Sequence, residues 1–105
     1  MLVNINKELY KEIIEGKKTA VVEYWAPWCV YCRRIGPAYE KVAAEYDRKL
    51  VLGKVNIDEE PQLASLNEIE VIPTFVFYKD GQAVDSIVAP GSKAILEEFI
   101  NKNLG

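Results

Sequence analysis

The fold and the chemistry of this chain are indicated by residues 22–32, which read VEYWAPWCVYC. The first part of this stretch ends a run of β-branched and aromatic side chains, as in a buried strand. Beyond it, apolar side chains recur at helical spacing. The sequence therefore predicts a strand over 19–25, a short connection, and a helix over 30–46 whose first turn carries two cysteines.

Cys29 and Cys32 are separated by two residues, a spacing that brings two thiols within bonding distance in a first helical turn. Backbone N–H groups and the helix dipole favour an anion at the start of a helix, so they stabilise a Cys29 thiolate. Cys32 lies about one turn inside and is expected to be less exposed. This asymmetry predicts thiol–disulfide exchange with Cys29 as the nucleophile and Cys32 as the resolving thiol.

The rest of the chain alternates between predicted strands and helices. Strands are predicted over 2–4, 19–25, 50–57, 74–78 and 83–88, and helices over 7–15, 30–46, 61–67 and after Ser92. Asp80-Gly81 lies between the last two strands, and this pair is a strong hairpin signal. The order β-α-β-α-β-α-β-β-α predicts an α/β fold, with a central mixed sheet and helices on both of its faces.

Composition excludes several classes of protein. The 105 residues are 50% hydrophobic, which fits one compact domain with its own core. The net charge of -3 argues against a nucleic-acid binder, and the absence of histidine removes the commonest metal ligand and general base. Neither an export signal nor a membrane span of about 20 apolar residues is visible. We therefore expect a cytoplasmic protein, in which a close cysteine pair is more often catalytic or metal-binding than structural.

Two other interpretations of the cysteine pair stay open at this point. The pair is half of a zinc site, but the four ligands of such a site would require a second chain. Alternatively, the two thiols have a purely structural role as apolar side chains.

Several motifs, taken in order and spacing, resemble the thioredoxin family over essentially the whole chain. They are residues 22–29, Cys32, Pro37, residues 54–58 (KVNID), residues 72–74 (IPT) and residues 79–81 (KDG). The resemblance implies a single thioredoxin domain over 1–105, with a five-stranded mixed sheet flanked by four helices. It also implies a protein-disulfide reductase that needs no cofactor beyond its redox-active disulfide.

The resemblance implies the partners and the substrate-binding residues as well. The partners are disulfide-containing proteins and an electron donor of the thioredoxin-reductase type, and the protein is expected to be a monomer. Pro73 matches the family's cis-proline, and the Ile72 backbone would bond an extended substrate segment. The expected substrate-binding residues are Trp28, Val30, Tyr31, Ile72, Pro73 and Ala89.

Glu23 occupies the family's buried acid position, and Lys54 matches a lysine beside it. Burial is expected to raise the pKa of Glu23, so that this carboxylate accepts the proton of Cys32. The alternative is a Glu23–Lys54 pair that only neutralises itself.

The chain departs from the family pattern between the cysteines. Val30-Tyr31 stands where typical thioredoxins carry Gly-Pro. Unlike proline, Tyr31 has an N–H group, and we expect this group to stabilise the Cys29 thiolate and make the pair less reducing, outweighing the desolvation of the thiolate by the apolar Val30 side chain. Arg33 and Arg34 follow the pair and are expected to be solvated helix residues, and the alternative for Arg33, which is close to the pair, is that it also favours the thiolate.

Two further departures bear on function. Glu23 replaces the usual aspartate and, together with the segment before Cys29, is similar to the catalytic domains of protein disulfide isomerases. Ala89 replaces a glycine in the docking groove, so its methyl group is expected to narrow the range of partners. An isomerase or oxidase and a non-catalytic binding module therefore remain the alternative functions.

Overall fold

The computed structural model describes residues 2–105, and its elements follow the predicted order. The strands are β1 (Val3–Asn4), β2 (Ala20–Trp25), β3 (Val51–Asn56), β4 (Thr74–Lys79) and β5 (Gln82–Val88). The helices are α1 (Lys7–Glu15), α2 (Val30–Tyr46), α3 (Pro61–Leu66) and α4 (Lys93–Leu104). The predicted ends differ from these bounds by at most one residue.

The five strands form one mixed sheet in the order β1-β3-β2-β4-β5. Strand β3 runs parallel to both β1 and β2, whereas β4 is antiparallel to β2 and β5 is antiparallel to β4. The centre of the sheet is therefore β2, with β3 on one side and β4 on the other. This position explains why its residues are almost all apolar, because both faces of a central strand are covered.

Successive side chains of β2 enter two separate cores. Val21 belongs to a cluster formed with α2 and α4, whereas Val22 belongs to a cluster on the other face that includes Ile13 of α1 and Leu63 of α3. The period of two along a strand means that Glu23 lies on the same face as Val21. The one acidic residue of the strand thus points towards the face that α2 covers.

Local signals place the ends of the elements. The side chain of Asn6 accepts the Leu9 N–H at 2.9 Å at the start of α1, and Ser92 accepts the Ile95 N–H at 3.2 Å at the start of α4. In the β4–β5 turn, Asp80 and Gly81 have φ angles of 54° and 81°. Both angles are positive, as a two-residue hairpin of this type requires, and the predicted hairpin is confirmed.

A network of buried hydroxyl groups ties the α1 and α3 side of the molecule to the sheet. The hydroxyl groups of Tyr24 and Tyr78 lie 2.6 Å apart, and Tyr78 donates to Oδ1 of Asn67 at 2.7 Å. Asn67 follows α3, and its Nδ2 donates to the hydroxyl oxygen of Tyr10 in α1 at 3.2 Å. Burial raises the pKa of both Tyr24 and Tyr78 above the usual value of tyrosine.

We expect Tyr78→Phe to lower the free energy of unfolding by about 1–3 kcal/mol, because it leaves a buried Tyr24 hydroxyl without its partner. Tyr24→Phe is expected to cost less, since Tyr78 still donates to Asn67. Urea unfolding of both variants tests this order, with Tyr31→Phe as the control at an exposed ring. Equal stability of all three variants would contradict the role of the network.

Candidate active site

The cysteine pair lies at the start of α2, just after the short connection that follows β2. Cys29 is the N-cap residue of α2, and its Sγ accepts the backbone N–H of Cys32 at 3.2 Å. A disulfide joins the two residues, whose Cα atoms are 5.2 Å apart. An N-cap side chain commonly accepts a bond from the third helical residue, and here that acceptor is a sulfur atom. The structure therefore places Cys29 where an N–H group and the helix dipole favour a thiolate.

The N–H group that bonds Cys29 is not the one that we expected. Within residues 2–105, the hydrogen bond to Cys29 Sγ comes from Cys32 and not from Tyr31. In this cap the third helical N–H, that of Cys32, points back at the Cys29 side chain, which is one of the two usual positions of the donor. This donor does not depend on the identity of residue 31.

The two cysteines have different neighbours although both are buried. Cys29 is 7% exposed and lies beside the loop before β4, with its Sγ 3.8 Å from the carbonyl oxygen of Ile72. Cys32 is 4% exposed and lines a small cleft together with Glu23, and the exposed residues Arg33 and Glu40 also line this cleft. Cys29 thus faces the loop before β4, and Cys32 faces the cleft that Glu23 lines.

Three of the predicted substrate-binding residues form an exposed apolar surface around the pair. Trp28, Val30 and Tyr31 are 63%, 52% and 62% exposed. Monomeric proteins rarely leave several large apolar side chains exposed at one place without a use for them. Such a surface is typical of sites at which proteins bind partners.

The other predicted binding residues lie on the segments before β4 and after β5, which meet at the open end of the hairpin, where Thr74 pairs with Val88. Ile72 is half-buried and packs with the cysteines, and the Ile72–Pro73 peptide bond is cis, as the resemblance implies. Pro73 itself is buried, so it supports the docking surface from below and does not form its exposed rim. Its carbonyl oxygen accepts the N–H of Ala89 at 2.8 Å, which holds the two loops together.

Ala89 is exposed and has a φ angle of 44°, in the left-handed region. This region carries a steric cost for any residue with a Cβ atom. A glycine, which the family usually has here, would not bear that cost. The positive φ angle of Ala89 therefore lowers the stability of the fold relative to a glycine at this position.

The partner of Trp28 was not predicted from the sequence. The indole Nε1 of Trp28 donates to Oδ2 of Asp58 at 3.0 Å. Trp28 follows β2 and Asp58 follows β3, and these neighbouring strands are parallel. Because parallel strands end at the same edge of a sheet, the topology was a sufficient signal for this contact.

Glu23 is 3% exposed and shares a cavity of about 160 Å³ with Cys32. Its Oε2 has no hydrogen-bond partner among the described residues. Burial raises the pKa of Glu23 to about 7, against the positive charge of Lys54, which lowers it. Such a carboxyl group exchanges its proton near neutral pH, as a general acid or base requires.

Lys54 lies opposite Glu23 in the register of β2 and β3 but is directed elsewhere. Its Nζ lies 4.2 Å from the centre of the Trp25 ring, in a cation–π contact. The unpartnered Oε2 of Glu23 shows that the two side chains do not simply satisfy each other. Lys54 therefore acts on Glu23 through its charge.

Tyr39 is a second residue of this region that the sequence analysis assigned only to the core. It is fully buried, and its hydroxyl group lies 3.1 Å from the Val21 carbonyl oxygen and 2.8 Å from that of Gly53. Burial and the nearby charge of Glu23 raise the pKa of Tyr39 well above its usual value. This neutral hydroxyl group forms part of the wall of the cavity.

Comparison with known proteins agrees with this architecture. The thioredoxin family model matches residues 1–102. The chain is 38% identical over 94 residues to thioredoxin 1 of Nostoc sp. (strain PCC 7120), covering 90% of this chain and 88% of that protein. It is 34% identical over 100 residues to thioredoxin of Chlorobaculum thiosulfatiphilum, covering 95% and 93%.

A solved structure is similar over the same extent. The thioredoxin of Malassezia sympodialis (Mala s 13) superposes with a TM-score of 0.90 and 33% identity, covering 100% of this chain and 92% of that chain. The expected thioredoxin fold, with five strands and four helices, is confirmed. Within residues 2–105, the structure contains no helix of the length and apolar character needed to cross a membrane.

The raised pKa of Glu23 predicts a pH-dependent stability. Between pH 4.5 and about 7 the folded protein binds a proton that the unfolded chain has lost, so stability falls as the pH rises through this range. Glu23→Gln removes the ionisable group. At pH 8.5 the variant is expected to be more stable than the parent by about 3 kcal/mol, and this difference shrinks as the pH falls towards 4.5.

Urea unfolding of the oxidised proteins across this pH range measures the difference. Glu12→Gln, at an exposed position of α1, is the matched control for removing one carboxylate. A Glu23→Gln advantage that is independent of pH, or one that Glu12→Gln reproduces, would refute the assignment.

Proposed function

The chain belongs to the thioredoxin family, and we propose that it reduces disulfide bonds in other proteins by dithiol–disulfide exchange. The observation that carries the proposal is the position of Cys29 at the N-cap of α2, where its sulfur accepts the N–H of Cys32. This position favours a thiolate next to an exposed apolar surface. The proximal cysteine pair makes the protein a thiol–disulfide oxidoreductase, and the direction of the reaction is part of the proposal.

In the first step, the Cys29 thiolate attacks one sulfur atom of a substrate disulfide. A bond forms between Cys29 Sγ and that sulfur, while the substrate S–S bond breaks and the second substrate sulfur leaves as a thiolate. The product is a mixed disulfide between the protein and its substrate. The N–H of Cys32 and the helix dipole support the attack because they hold the charge on Cys29.

In the second step, Cys32 resolves the mixed disulfide. Its thiol loses a proton to Glu23 across the shared cavity, and the resulting thiolate attacks Cys29 Sγ. The Cys29–Cys32 disulfide forms and the substrate leaves as a second thiolate, so two electrons have passed to the substrate. A pKa of about 7 allows Glu23 to take up the proton at neutral pH and release it later.

Substrate binding uses the surface around Cys29. An extended segment next to the substrate disulfide bonds the backbone of Ile72, while apolar side chains contact Trp28, Val30 and Tyr31. The oxidised pair then receives two electrons from a donor of the thioredoxin-reductase type. The proposal includes a cytoplasmic monomer that needs no bound cofactor.

A disulfide isomerase or oxidase is the second candidate function. The feature in its favour is Glu23, which together with the segment before Cys29 is similar to the catalytic domains of protein disulfide isomerases, whose cysteine pair is less reducing. The reduction potential therefore separates the two candidates.

Thiol release from a symmetric peptide disulfide tests the roles of the cysteines. The reduced parent protein is expected to release two thiols per molecule and to end oxidised, whereas Cys32→Ser releases one and keeps the other peptide half covalently bound to Cys29. Thiol titration and intact mass spectrometry measure both quantities. Cys29→Ser is the matched control. If an adduct forms as fast in this variant as in Cys32→Ser, Cys29 is not the nucleophile and the assignment is wrong.

The direction of the reaction is tested by equilibrating the protein with a dithiol redox buffer and following tryptophan fluorescence. Because the donor to Cys29 is the Cys32 N–H whatever residue 31 is, the less reducing pair expected from Tyr31 loses its basis, and we expect a potential near the thioredoxin value of about −270 mV, below the cytosolic glutathione range of about −220 to −260 mV. A value near the isomerase value of about −180 mV would overturn the reductase proposal in favour of the second candidate.

A further inference from the structure

A pocket of about 220 Å³ opens next to the cysteine pair, between the first turns of α2 and the segment that follows β5. It is lined by Tyr31, Arg34, Ile35, Ala89, Pro90 and Gly91. Tyr31 is one of the two residues between the cysteines, so the pocket adjoins the place where a substrate disulfide must arrive. Arg34 is the one charged residue among those that line it.

Arg34 is held at the pocket by an aromatic contact. Its guanidinium carbon lies 5.5 Å from the centre of the Tyr31 ring, within the range of a cation–π interaction. Ion pairs elsewhere within residues 2–105 use Lys11, Lys93 and Lys102, and none of them involves Arg34. The guanidinium group is thus oriented but not neutralised by an acidic side chain of the described chain.

We propose that Arg34, oriented by Tyr31, is a specificity-determining residue that binds a carboxylate group of the substrate polypeptide. The preferred substrates are protein disulfides in which an aspartate or glutamate lies within two residues of the attacked cysteine. The inference rests on the proposed function, because it concerns the substrate of the same site. The planar guanidinium group suits this task, since it offers several N–H donors to two carboxylate oxygens.

The charge of the rest of the protein makes a local cation important. The net charge is -3, so an acidic substrate segment meets a protein of the same sign. At physiological salt, charges interact mainly within about 8–10 Å. The sign of the protein's charge next to the attacked disulfide therefore determines whether an acidic substrate segment is attracted or repelled. Arg34 supplies a positive charge there.

The test uses three otherwise identical peptide disulfides that carry Glu, Gln or Lys at the two positions flanking the cysteine. The parent protein is expected to reduce the Glu peptide about threefold to fivefold more efficiently than the Gln peptide, the effect of one solvent-accessible ion pair. The readout is the ratio of the two kcat/KM values. Any effect of Arg34 on the Cys29 thiolate multiplies both values equally and cancels in the ratio.

Arg34→Gln is expected to bring the Glu/Gln ratio to about one, and Arg34→Glu to make the Lys peptide the better substrate. The matched control is Lys41→Gln, which removes one positive charge from an exposed position of the same helix, about two turns and 10 Å further on. The control is expected to keep the parent ratio. If Lys41→Gln lowers the ratio as much as Arg34→Gln does, the preference reflects overall charge and the inference is wrong.

Two variants of Tyr31 test whether the ring positions Arg34. Tyr31→Phe keeps an aromatic face and is expected to keep the preference, whereas Tyr31→Ala is expected to lose at least half of it. An unchanged ratio in Tyr31→Ala would show that the aromatic contact has no part in the preference.

The outcomes separate this inference from the proposed function. If the parent protein reduces all three peptides at the same rate, the carboxylate preference is refuted and the reductase proposal stands. If it reduces none of them, the reductase proposal itself has failed.

Discussion

The central constraint of this structure is the burial of β2 between a parallel and an antiparallel neighbour. Because both of its faces are covered, alternate side chains enter two different cores, and Glu23 must point into the face that α2 covers. The strand ends at Trp25, and the chain turns directly into α2, so that Cys29 becomes the helix cap. One buried strand thus fixes the acid, the helix N-terminus and the cysteine pair relative to one another.

The sequence was sufficient for most of the fold because the decisive signals are local. The hairpin at Asp80-Gly81 needs two consecutive positive φ angles, and Ser92 carries a side chain suited to an N-cap. The spacing of the cysteines determines their closeness, and the run of apolar residues in β2 identifies its central place. These features depend on residues a few positions apart in the chain, so short-range sequence patterns are enough to predict them.

The rest of the site depends on contacts between segments that are distant in sequence, and local sequence patterns do not predict such contacts. Trp28 finds Asp58 only because β2 and β3 end at the same edge of the sheet. Lys54 stacks on Trp25 and leaves Glu23 without a direct partner, a choice of side-chain conformation that no local signal encodes. The donor to Cys29 was misassigned for a similar reason, since the direction of an N–H group in a first helical turn depends on the geometry of the cap.

The two sulfur atoms lie in different environments, on two sides of the site. Cys29 adjoins the surface formed by Trp28, Val30 and Tyr31, while Cys32 lines the cavity that Glu23 shares behind α2. On the proposed mechanism, electrons leave through Cys29 Sγ and the proton moves through the cleft that Cys32 and Glu23 line. A large folded partner can therefore cover the surface around Cys29 without separating Cys32 from its base.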